Sequence, residues 1–554
     1  MARDTAHRLS YFHSGGDIPL LWSTIPHHFG KIANRFEDRD AIVSCHQKRK
    51  LNYKELASQS NTLAKGFLGL GFHKGDRIGI WATDNIEWLL VQLACARIGV
   101  VLVNVNPAYR PRELEYALTK SRVQGLFMIP KFKSSNYLAM IRELDLPGQR
   151  CPELRTIIVY DPMKRSEDWR RVLAAGKTVS DEELDAVTES LDPDDPINIQ
   201  YTSGTTGFPK AVVLSHFNIL NNALFAANSM NLTELDRLCV PVPFYHCFGM
   251  VLSNLLSLSV GAAIILPAEH FDAGAVLQAI EAEKCTALHG VPSMFITELE
   301  HEDFADFDLS SLRTGIMAGA PCPEALMKRV MTDLHCPEIL IGYGQTEASP
   351  LTHLTRADDP ISLRTQTVGR NLPHQEVKVV DPDNGATQVL SQVGEICFRG
   401  YHVMHGYFDD DEATHKAVDN SGWLHSGDLG VMDAAGYVRI TGRIKEMIIR
   451  GGENIYPAEI EDWLFRHPDI SQAAVFGVPD DKMGEEIMAW IELCAGANLS
   501  ETQVRDYCMQ GLAHFKVPRY IEFVSKFPMT VTGKLQKFRM RETAAKKLGL
   551  YSSL

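Results

Sequence analysis

The sequence predicts an α/β protein with a large N-terminal domain and a small C-terminal one. From residue 41 onward, short apolar runs alternate with amphipathic segments of helical period, which is typical of parallel sheets covered by helices on both faces. The length of 554 residues exceeds what one hydrophobic core supports, so at least two domains are expected. An apolar fraction of 45% with 22% charged residues indicates a globular chain and excludes a disordered one.

The first elements follow a regular strand and helix rhythm. Pro111 favours a helix start, because proline is tolerated in the first turn. The expected order is strand 41–44, helix 53–70, strand 77–81, helix 86–99, strand 100–105, helix 111–122 and strand 125–129. A second series runs from residue 212 to about residue 342. The large domain is therefore expected to contain two sheets layered with helices.

Residues 249–268 carry no charge over a length that could span a bilayer. Serines, an asparagine and Gly261 interrupt the run. We therefore expect a buried helix, a turn at Gly261 and a strand over residues 262–266, and we expect no membrane span.

The last third of the chain changes pattern twice. Residues 377–407 are rich in strand-forming residues without an intervening helix, which predicts a small β-barrel-like subdomain. A strand is predicted at 438–441. After residue 442 the α/β rhythm restarts, with a helix predicted at 457–465 and a strand at 473–478. The predicted boundaries are residues 1–442 for the N-terminal domain, 443–446 for a hinge and 447–554 for a mobile C-terminal domain.

Residues 201–210, Tyr-Thr-Ser-Gly-Thr-Thr-Gly-Phe-Pro-Lys, are suited to binding phosphate. Gly204 and Gly207 let backbone N–H groups approach phosphate oxygens, and Lys210 adds positive charge. The hydroxyl donors are Thr202, Ser203, Thr205 and Thr206. A predicted strand at 197–200 precedes the loop and places it at the carboxyl edge of a sheet. A P-loop has wider glycine spacing and Ser or Thr after its lysine, so this is a different loop; a surface linker is the alternative.

Further motifs follow in order along the chain. They are residues 244–249 (Phe-Tyr-His-Cys-Phe-Gly), 318–321 (Ala-Gly-Ala-Pro), 342–347 (Gly-Tyr-Gly-Gln-Thr-Glu), 426–430 (Ser-Gly-Asp-Leu-Gly), 442–446 (Gly-Arg-Ile-Lys-Glu), 451–457 (Gly-Gly-Glu-Asn-Ile-Tyr-Pro) and 528–534 (Pro-Met-Thr-Val-Thr-Gly-Lys). With residues 201–210, they resemble the signature segments of adenylate-forming enzymes, the superfamily of acyl-CoA synthetases, luciferases and nonribosomal adenylation domains. The resemblance covers nearly the whole chain. It is greatest to medium- to long-chain fatty acyl-CoA synthetases, through residues 447–457 and 514–518.

This resemblance implies an ATP-dependent, magnesium-requiring ligase of fatty acid metabolism. Such an enzyme converts a fatty acid, ATP and coenzyme A to acyl-CoA, AMP and pyrophosphate through an acyl-adenylate. The implied phosphate contacts are residues 202–207 and Lys210. The implied adenine and acyl contacts are Gly319, Ala320, Pro321, Tyr343 and Gly344. Thr346 is implied at the α-phosphate, Glu347 at Mg²⁺, and Asp428 with Arg443 at the ribose. His246 is implied beside the carboxylate, with a core histidine as the alternative.

The C-terminal domain carries the remaining implied roles. Lys534 is the implied catalytic lysine, which bridges the carboxylate and the α-phosphate. The alternative for Lys534 is an exposed surface lysine, and Lys537 is a second candidate for an exposed surface lysine. A turn about Lys445 is implied for the second half-reaction. It brings the coenzyme A side of the domain to the site, namely Gly451, Gly452, Glu453 and Asn454.

Charge and cysteine content limit the partners. The net charge of −14 argues against a nucleic-acid surface and against broad adhesion to anionic lipid. Eleven cysteines without a Cys-x-x-Cys pair are expected to be reduced core residues, and a cytoplasmic location is expected. Two other functions stay open: an aryl-acid ligase resembling 4-coumarate-CoA ligases, and a catalytically silent nucleotide-binding regulator. A homodimer is one candidate assembly.

Overall fold

The structure of the protein is a computed structural model. It describes residues 8–164, 166–202, 209–451, 453–480, 482–529 and 535–550. The described residues form two compact units. The larger unit takes His13–Val377 and Phe398–Leu424, and the smaller unit takes the described parts of Met1–Phe12, Lys378–Cys397 and His425–Leu554.

The strands are, in chain order, β1 (Tyr11–His13), β2 (Asp40–Ser44), β3 (Arg49–Asn52), β4 (Arg77–Trp81), β5 (Val101–Asn104), β6 (Gly125–Met128), β7 (Lys131–Phe132), β8 (Ser135–Asn136), β9 (Thr156–Val159), β10 (Pro196–Thr202), β11 (Lys210–Ser215), β12 (Arg237–Cys239), β13 (Ala263–Leu266), β14 (Ala287–Leu288), β15 (Thr314–Ala318), β16 (Glu338–Gly344), β17 (Leu351–Leu354), β18 (Arg370–Asn371), β19 (Gln375–Val380), β20 (Gly394–Gly400), β21 (Gly406–Tyr407), β22 (Leu424–Met432), β23 (Val438–Arg443), β24 (Ile448–Arg450), β25 (Glu453–Ile455), β26 (Ile470–Asp480), β27 (Gly484–Leu493) and β28 (Tyr520–Phe523).

The helices are α1 (Ile25–Arg35), α2 (Tyr53–Gly69), α3 (Ile86–Ile98), α4 (Pro111–Lys120), α5 (Tyr137–Glu143), α6 (Glu167–Ala175), α7 (Asp181–Glu189), α8 (His216–Ser229), α9 (Cys247–Gly249), α10 (Leu256–Val260), α11 (Ala273–Glu283), α12 (Pro292–Leu299), α13 (Glu324–Thr332), α14 (Ile361–Gln366), α15 (Asp411–Ala417), α16 (Pro457–Leu464), α17 (Glu501–Met509) and α18 (Lys537–Leu548). A π-helix, Met250–Leu255, joins α9 to α10, and 3₁₀ turns include Thr346–Ala348 and Ile444–Glu446.

Two large sheets with parallel centres organise the larger unit. Among the described residues, one has the order β21-β11-β10-β5-β4-β6-β9 and the other β18-β17-β16-β15-β14-β12-β13-β2-β3. Central strands such as β5, β6 and β13 are buried along their whole length, as expected where helices cover both faces. On the second sheet, apolar residues of α11, α12 and α13 form one core with those of β12, β13 and β15.

The smaller unit is organised around two further sheets. One sheet runs β1-β19-β20-β22-β23, and another runs β25-β24-β27-β26 with β28 paired to β27. Helix α16 contributes Ile460 and Leu464 to one core of the latter sheet, and α18 contributes Met540 and Ala544 to a separate core. The predicted fold class, with a strand-rich subdomain and a small C-terminal α/β sheet, is confirmed.

The predicted elements agree with the structure to within a few residues at each end. The uncharged run at 249–268 folds as predicted into buried helical turns, a left-handed Gly261 and β13. Its π-helical section was not predicted. Of the helices in the described ranges, none combines the length and apolarity needed to cross a membrane.

Candidate nucleotide and acyl site

The predicted phosphate loop connects two strands of the larger unit. β10 runs parallel to β5, and it pairs antiparallel with β11 so that Thr202 faces Lys210. The loop therefore leaves the carboxyl end of a parallel strand, as expected. A strand follows Lys210, whereas a helix follows the lysine of a P-loop. Ser203, Gly204, Thr205, Thr206 and Gly207 lie outside the described residues.

Both ends of this loop are held by the same helix. The Tyr116 hydroxyl, on α4, donates to the Pro209 carbonyl at 3.0 Å. The Tyr201 hydroxyl donates to the Ala117 carbonyl, also on α4, at 2.7 Å. These two bonds fix the distance between the residues that flank the loop. Sequence reasoning did not identify Tyr116, because a helix tyrosine carries no local sign of such a partner.

Lys210 and Glu347 meet at one tyrosine that sequence reasoning missed. The Tyr407 hydroxyl donates to Glu347 Oε1 at 2.9 Å, and Lys210 Nζ lies 4.4 Å from the centre of the Tyr407 ring. Burial, and then the Glu347 charge, raise the pKa of Tyr407 above its ordinary value. Tyr407 is therefore a neutral hydrogen-bond donor at physiological pH.

The two motifs predicted to contact adenine and the acyl group follow neighbouring parallel strands. β15 and β16 pair in parallel with Ala318 beside Gly342, so Gly319, Ala320 and Pro321 and the run from Tyr343 to Glu347 start from one sheet edge. Gly319 has a left-handed backbone conformation, Gly344 ends β16, and Thr346 and Glu347 form a 3₁₀ turn.

Close packing supports the Tyr343 segment. A Cβ on Gly344 would lie 1.9 Å from the Pro350 carbonyl oxygen, so only glycine fits there. The Tyr343 ring lies 6.0 Å from that of His353 and 6.2 Å from that of Phe398. The half-buried Glu347 carboxylate offers the hard oxygen that Mg²⁺ prefers, so the residue present fits that ion.

His246 lies at the start of a short helix. Its Nδ1 accepts from the Phe248 N–H at 3.2 Å and so caps α9. The Phe248 ring packs 5.2 Å from the ring of His289. Burial lowers the pKa of His289 to about 3, which keeps that ring neutral. Ser253 donates to the Phe248 carbonyl at 2.9 Å and contacts His289 Nδ1 at 3.1 Å.

A buried amide network supports the π-helix after α9. Gln92 Nε2 donates to the Met250 carbonyl at 3.3 Å, and Asn254 Nδ2 donates to Gln92 Oε1 at 3.1 Å. Asn104 Nδ2 donates to the Tyr245 carbonyl at 3.1 Å. These bonds hold the chain on either side of His246 in place.

The smaller unit brings Asp428 and Arg443 together. They face each other across the β22–β23 pairing, with Arg443 Nε 2.8 Å from Asp428 Oδ1. Glu395 supports this turn: Oε2 accepts from His425 Nδ1 at 2.7 Å and Oε1 from the Gly427 N–H at 3.0 Å. The metal-binding atom types of Glu395, Cys397 and His425 lie within 4.8 Å of one another. The hydrogen bonds of Glu395 to His425 and Gly427 form a clamp around this turn. Sequence reasoning missed Glu395.

The other predicted residues of this unit lie around two turns. Lys445 is exposed in the 3₁₀ turn after β23. Gly451 is left-handed, and Arg450 pairs with Glu453 across the β24–β25 hairpin. Gly452 and Lys534 lie outside the described residues, and of Asn454 only the backbone is described.

Lys537 is not an exposed surface lysine. Its side chain is 16% exposed, and Nζ lies 2.7 Å from Glu461 Oε1 and 3.4 Å from Glu446 Oε2. The two carboxylates, through charge and hydrogen bonds, outweigh burial and raise the pKa of Lys537. The surface-lysine alternative is therefore wrong for this residue, because a buried cation needs such partners.

Comparison with known proteins assigns the chain to a family. The family model for AMP-binding enzymes matches residues 29–408, and that for the AMP-binding enzyme C-terminal domain matches residues 459–534. The putative acyl-CoA synthetase YngI of Bacillus subtilis is 47% identical over 96% of this chain and 99% of its own length. The mitochondrial medium-chain acyl-CoA ligase ACSF2 of Danio rerio is 42% identical over 98% of this chain and 91% of its own.

Solved structures agree with these sequence relatives. The anthranilate CoA ligase AuaEII, in complex with anthranoyl-AMP, gives a TM-score of 0.84 at 26% identity over 96% of this chain and 99% of its own. ATP-bound MatB from Rhodopseudomonas palustris gives 0.82 at 28% identity, over 95% of this chain and 100% of its own. From the matched models and the near full-length relatives, we conclude that the chain belongs to the AMP-binding family of adenylate-forming enzymes.

Proposed function

We propose that the chain is an ATP-dependent fatty acyl-CoA synthetase, which converts a fatty acid, ATP and coenzyme A to acyl-CoA, AMP and pyrophosphate. The observation that carries this proposal is the 42–47% identity, over nearly the whole chain, to proteins named as acyl-CoA synthetases or ligases. The placement of Lys210 and Glu347 around one tyrosine supports it, because adenylation needs positive charge and a metal ligand near the phosphates.

The chemistry proceeds in two displacements. The fatty carboxylate attacks the α-phosphorus of ATP, the bond to the bridging oxygen breaks, and pyrophosphate leaves. The thiolate of coenzyme A then attacks the acyl carbon of the mixed anhydride, and AMP leaves. The first step accumulates negative charge, so cationic side chains and water exclusion lower its barrier.

The residue roles in the first step are part of the proposal. Lys210 and the loop that precedes it bind the β- and γ-phosphates, and Thr346 contacts the α-phosphate. Tyr343 lies against adenine, and Asp428 with Arg443 binds the ribose. His246 lies beside the carboxylate, and Lys534 bridges that carboxylate and the α-phosphate.

Mg²⁺ and coenzyme A complete the proposed set of ligands. Glu347 would hold Mg²⁺, which supplies charge neutralisation on the phosphates when bound. The hairpin that contains Gly451 and Glu453 would border the pantetheine arm of coenzyme A. The proposed domains are residues 1–442 and 447–554, with residues 443–446 as the hinge between the adenylating and thioester-forming arrangements.

The identity of the carboxylic acid substrate rests on the names of the relatives. We propose a medium-chain fatty acid, since the ACSF2 relatives are named medium-chain ligases. An aryl acid is the second candidate, because AuaEII, a structural neighbour, is an anthranilate CoA ligase. The test is acid-dependent exchange of labelled pyrophosphate into ATP across acetate to palmitate and a set of aryl acids.

The panel separates the candidates by catalytic efficiency. We expect the highest kcat/KM with a medium-chain fatty acid. Highest efficiency with an aryl acid would replace the fatty acid assignment, and no exchange with any acid would leave a nucleotide-binding regulator as the function.

We also propose a cytoplasmic location, supported by eleven cysteines that are all free and all within the described residues. Cell fractionation tests it. The homodimer stays a prediction, which sedimentation velocity tests.

A further inference from the structure

Tyr407 contacts both charged groups that the proposed mechanism places around the phosphates. Its hydroxyl donates to Glu347 Oε1 at 2.9 Å, and its ring lies under Lys210 Nζ at 4.4 Å. Nothing in its local sequence marks it as functional. The two contacts nevertheless use different parts of one side chain, the polar tip and the π-face.

The backbone around Tyr407 fixes where this side chain lies. Val212, two residues after Lys210, pairs with Tyr407 across the β11–β21 ladder. The Tyr407 N–H donates to Thr414 Oγ1 at 2.9 Å, and the Met404 N–H donates to the Glu347 carbonyl at 2.9 Å. The segment from Met404 to Tyr407 therefore holds both the backbone and the carboxylate of Glu347.

The hydroxyl has a defined effect on the carboxylate. A buried neutral donor that is bonded to one carboxylate oxygen restricts the rotation of the carboxylate. Because the carboxylate is already oriented, less conformational entropy is lost when a metal ion binds to it. The ring acts separately on Lys210, because a cation over an aromatic face is attracted to it. Removal of the hydroxyl alone should therefore affect Glu347 more than Lys210.

We propose that Tyr407 is a positioning residue that orients Glu347 for a divalent cation and holds Lys210 beside it, so that metal and nucleotide bind as one unit. This inference rests on the proposed role of Glu347 as the Mg²⁺ ligand.

The experiment compares Tyr407→Phe with wild type by two binding measurements. Mn²⁺ binding in the presence of ATP is followed by electron paramagnetic resonance, and metal-free ATP binding by calorimetry. We expect Tyr407→Phe to weaken Mn²⁺ binding about tenfold, which is typical for loss of an outer-shell partner of a metal ligand. Metal-free ATP binding should change less than about twofold, because the ring under Lys210 is retained.

Two further variants make the result specific. Tyr407→Leu removes ring and hydroxyl together and should weaken both binding events. Tyr401→Phe is the matched control: Tyr401 is another buried tyrosine of this unit, and its hydroxyl accepts from Gln375 Nε2 at 3.3 Å. It should bind Mn²⁺ and ATP as wild type does.

Glu347→Gln separates failure of this inference from failure of the magnesium assignment. If Glu347→Gln binds Mn²⁺ as wild type does, Glu347 is not the metal ligand, and the positioning role is wrong with it. If Glu347→Gln loses Mn²⁺ affinity while Tyr407→Phe keeps it, only the positioning role is overturned. Melting curves establish that each variant is folded, and Tyr407→Phe carries the test if Tyr407→Leu does not fold.

Discussion

The buried Asp428 carboxylate has an arginine partner that holds it in one orientation. Asp428 is buried, and Arg443 Nε contacts it at 2.8 Å while the arginine side chain stays half exposed. A buried carboxylate without a partner is costly, and the contact with Arg443 offsets this cost. A charged aspartate can accept from both hydroxyls of a ribose, one on each oxygen.

Asp428→Asn should weaken ATP binding about tenfold or more. Asparagine keeps the shape but has one acceptor oxygen, and hydrogen bonds to a charged group are worth about 1.5–3 kcal/mol. Calorimetric titration with ATP measures the change, and Asp383→Asn, at an exposed turn, is the control. Unchanged ATP affinity in Asp428→Asn would contradict the ribose assignment.

Glu395→Gln should loosen the turn that carries Asp428. Glu395 accepts from His425 and from the Gly427 N–H with different oxygens, and glutamine can accept at only one of these positions. We expect a loss of about 1–3 kcal/mol in unfolding free energy and a several-fold rise in the Kd for ATP. Denaturant unfolding and titration measure these quantities.

The control for Glu395 is Glu412→Gln, which breaks an exposed pair with Lys416. Such a pair contributes at most about 1 kcal/mol, and little is expected to change. Equal effects of Glu395→Gln and Glu412→Gln would show that the clamp is not needed.

At the scale of single elements, local periodicity predicted most strands and helices but not the π-helix. β4 matches its prediction residue for residue, and α2 and α3 each end one residue earlier than predicted. The run over α9, the π-helix and α10 is buried on all sides, so it has no polar face from which a helical period could be read. Within this run, the Met250 carbonyl accepts from Gln92, which lies far away in sequence.

Helix α12 carries a buried acid, Glu298, from which we expect the free energy of unfolding to depend on pH. Neither oxygen of Glu298 has a hydrogen-bond partner among the described residues, and burial raises the pKa of Glu298 from 4.5 to about 8. The folded state holds this proton more tightly than the unfolded state does. The contribution of the Glu298 proton to the free energy of unfolding is therefore complete below about pH 4.5 and is lost as pH rises towards 8. The lost free energy is at most about 5 kcal/mol.

Glu298→Gln should remove this dependence. We expect the melting temperature of the variant to rise relative to that of wild type between pH 5 and pH 8, as measured by calorimetry at each pH. Glu300→Gln, at the exposed end of the same helix, should show no such trend. A constant difference between Glu298→Gln and wild type across this range would rule out the buried acid as the cause.

At the scale of the whole molecule, contiguous motifs could be interpreted from sequence and long-range partners could not. Lys210, Glu347 and Asp428 stand in motifs of several consecutive residues, so the resemblance identified them directly. Tyr407 and Glu395 form hydrogen bonds with residues that lie tens of positions away in the sequence. Their local sequence is ordinary strand, and only the folded chain reveals the contacts.

The proposed mechanism requires one lysine to take part in the first half-reaction and to leave before the second. Lys534 is that residue in the proposal. It lies near the C-terminal end of the chain, and α18, which begins at Lys537, follows it closely. A hinge at residues 443–446 would let the two half-reactions use different faces of the C-terminal domain.

The most direct test measures both half-reactions of Lys534→Ala separately. Pyrophosphate exchange with a fatty acid reports adenylation, and acyl-CoA formation from preformed acyl-AMP reports thioester formation. We expect exchange to fall at least about 100-fold, because a charge contact at the transition state is lost, while thioester formation stays within about threefold of wild type. Equal losses in both half-reactions, or unchanged exchange, would contradict the proposed mechanism.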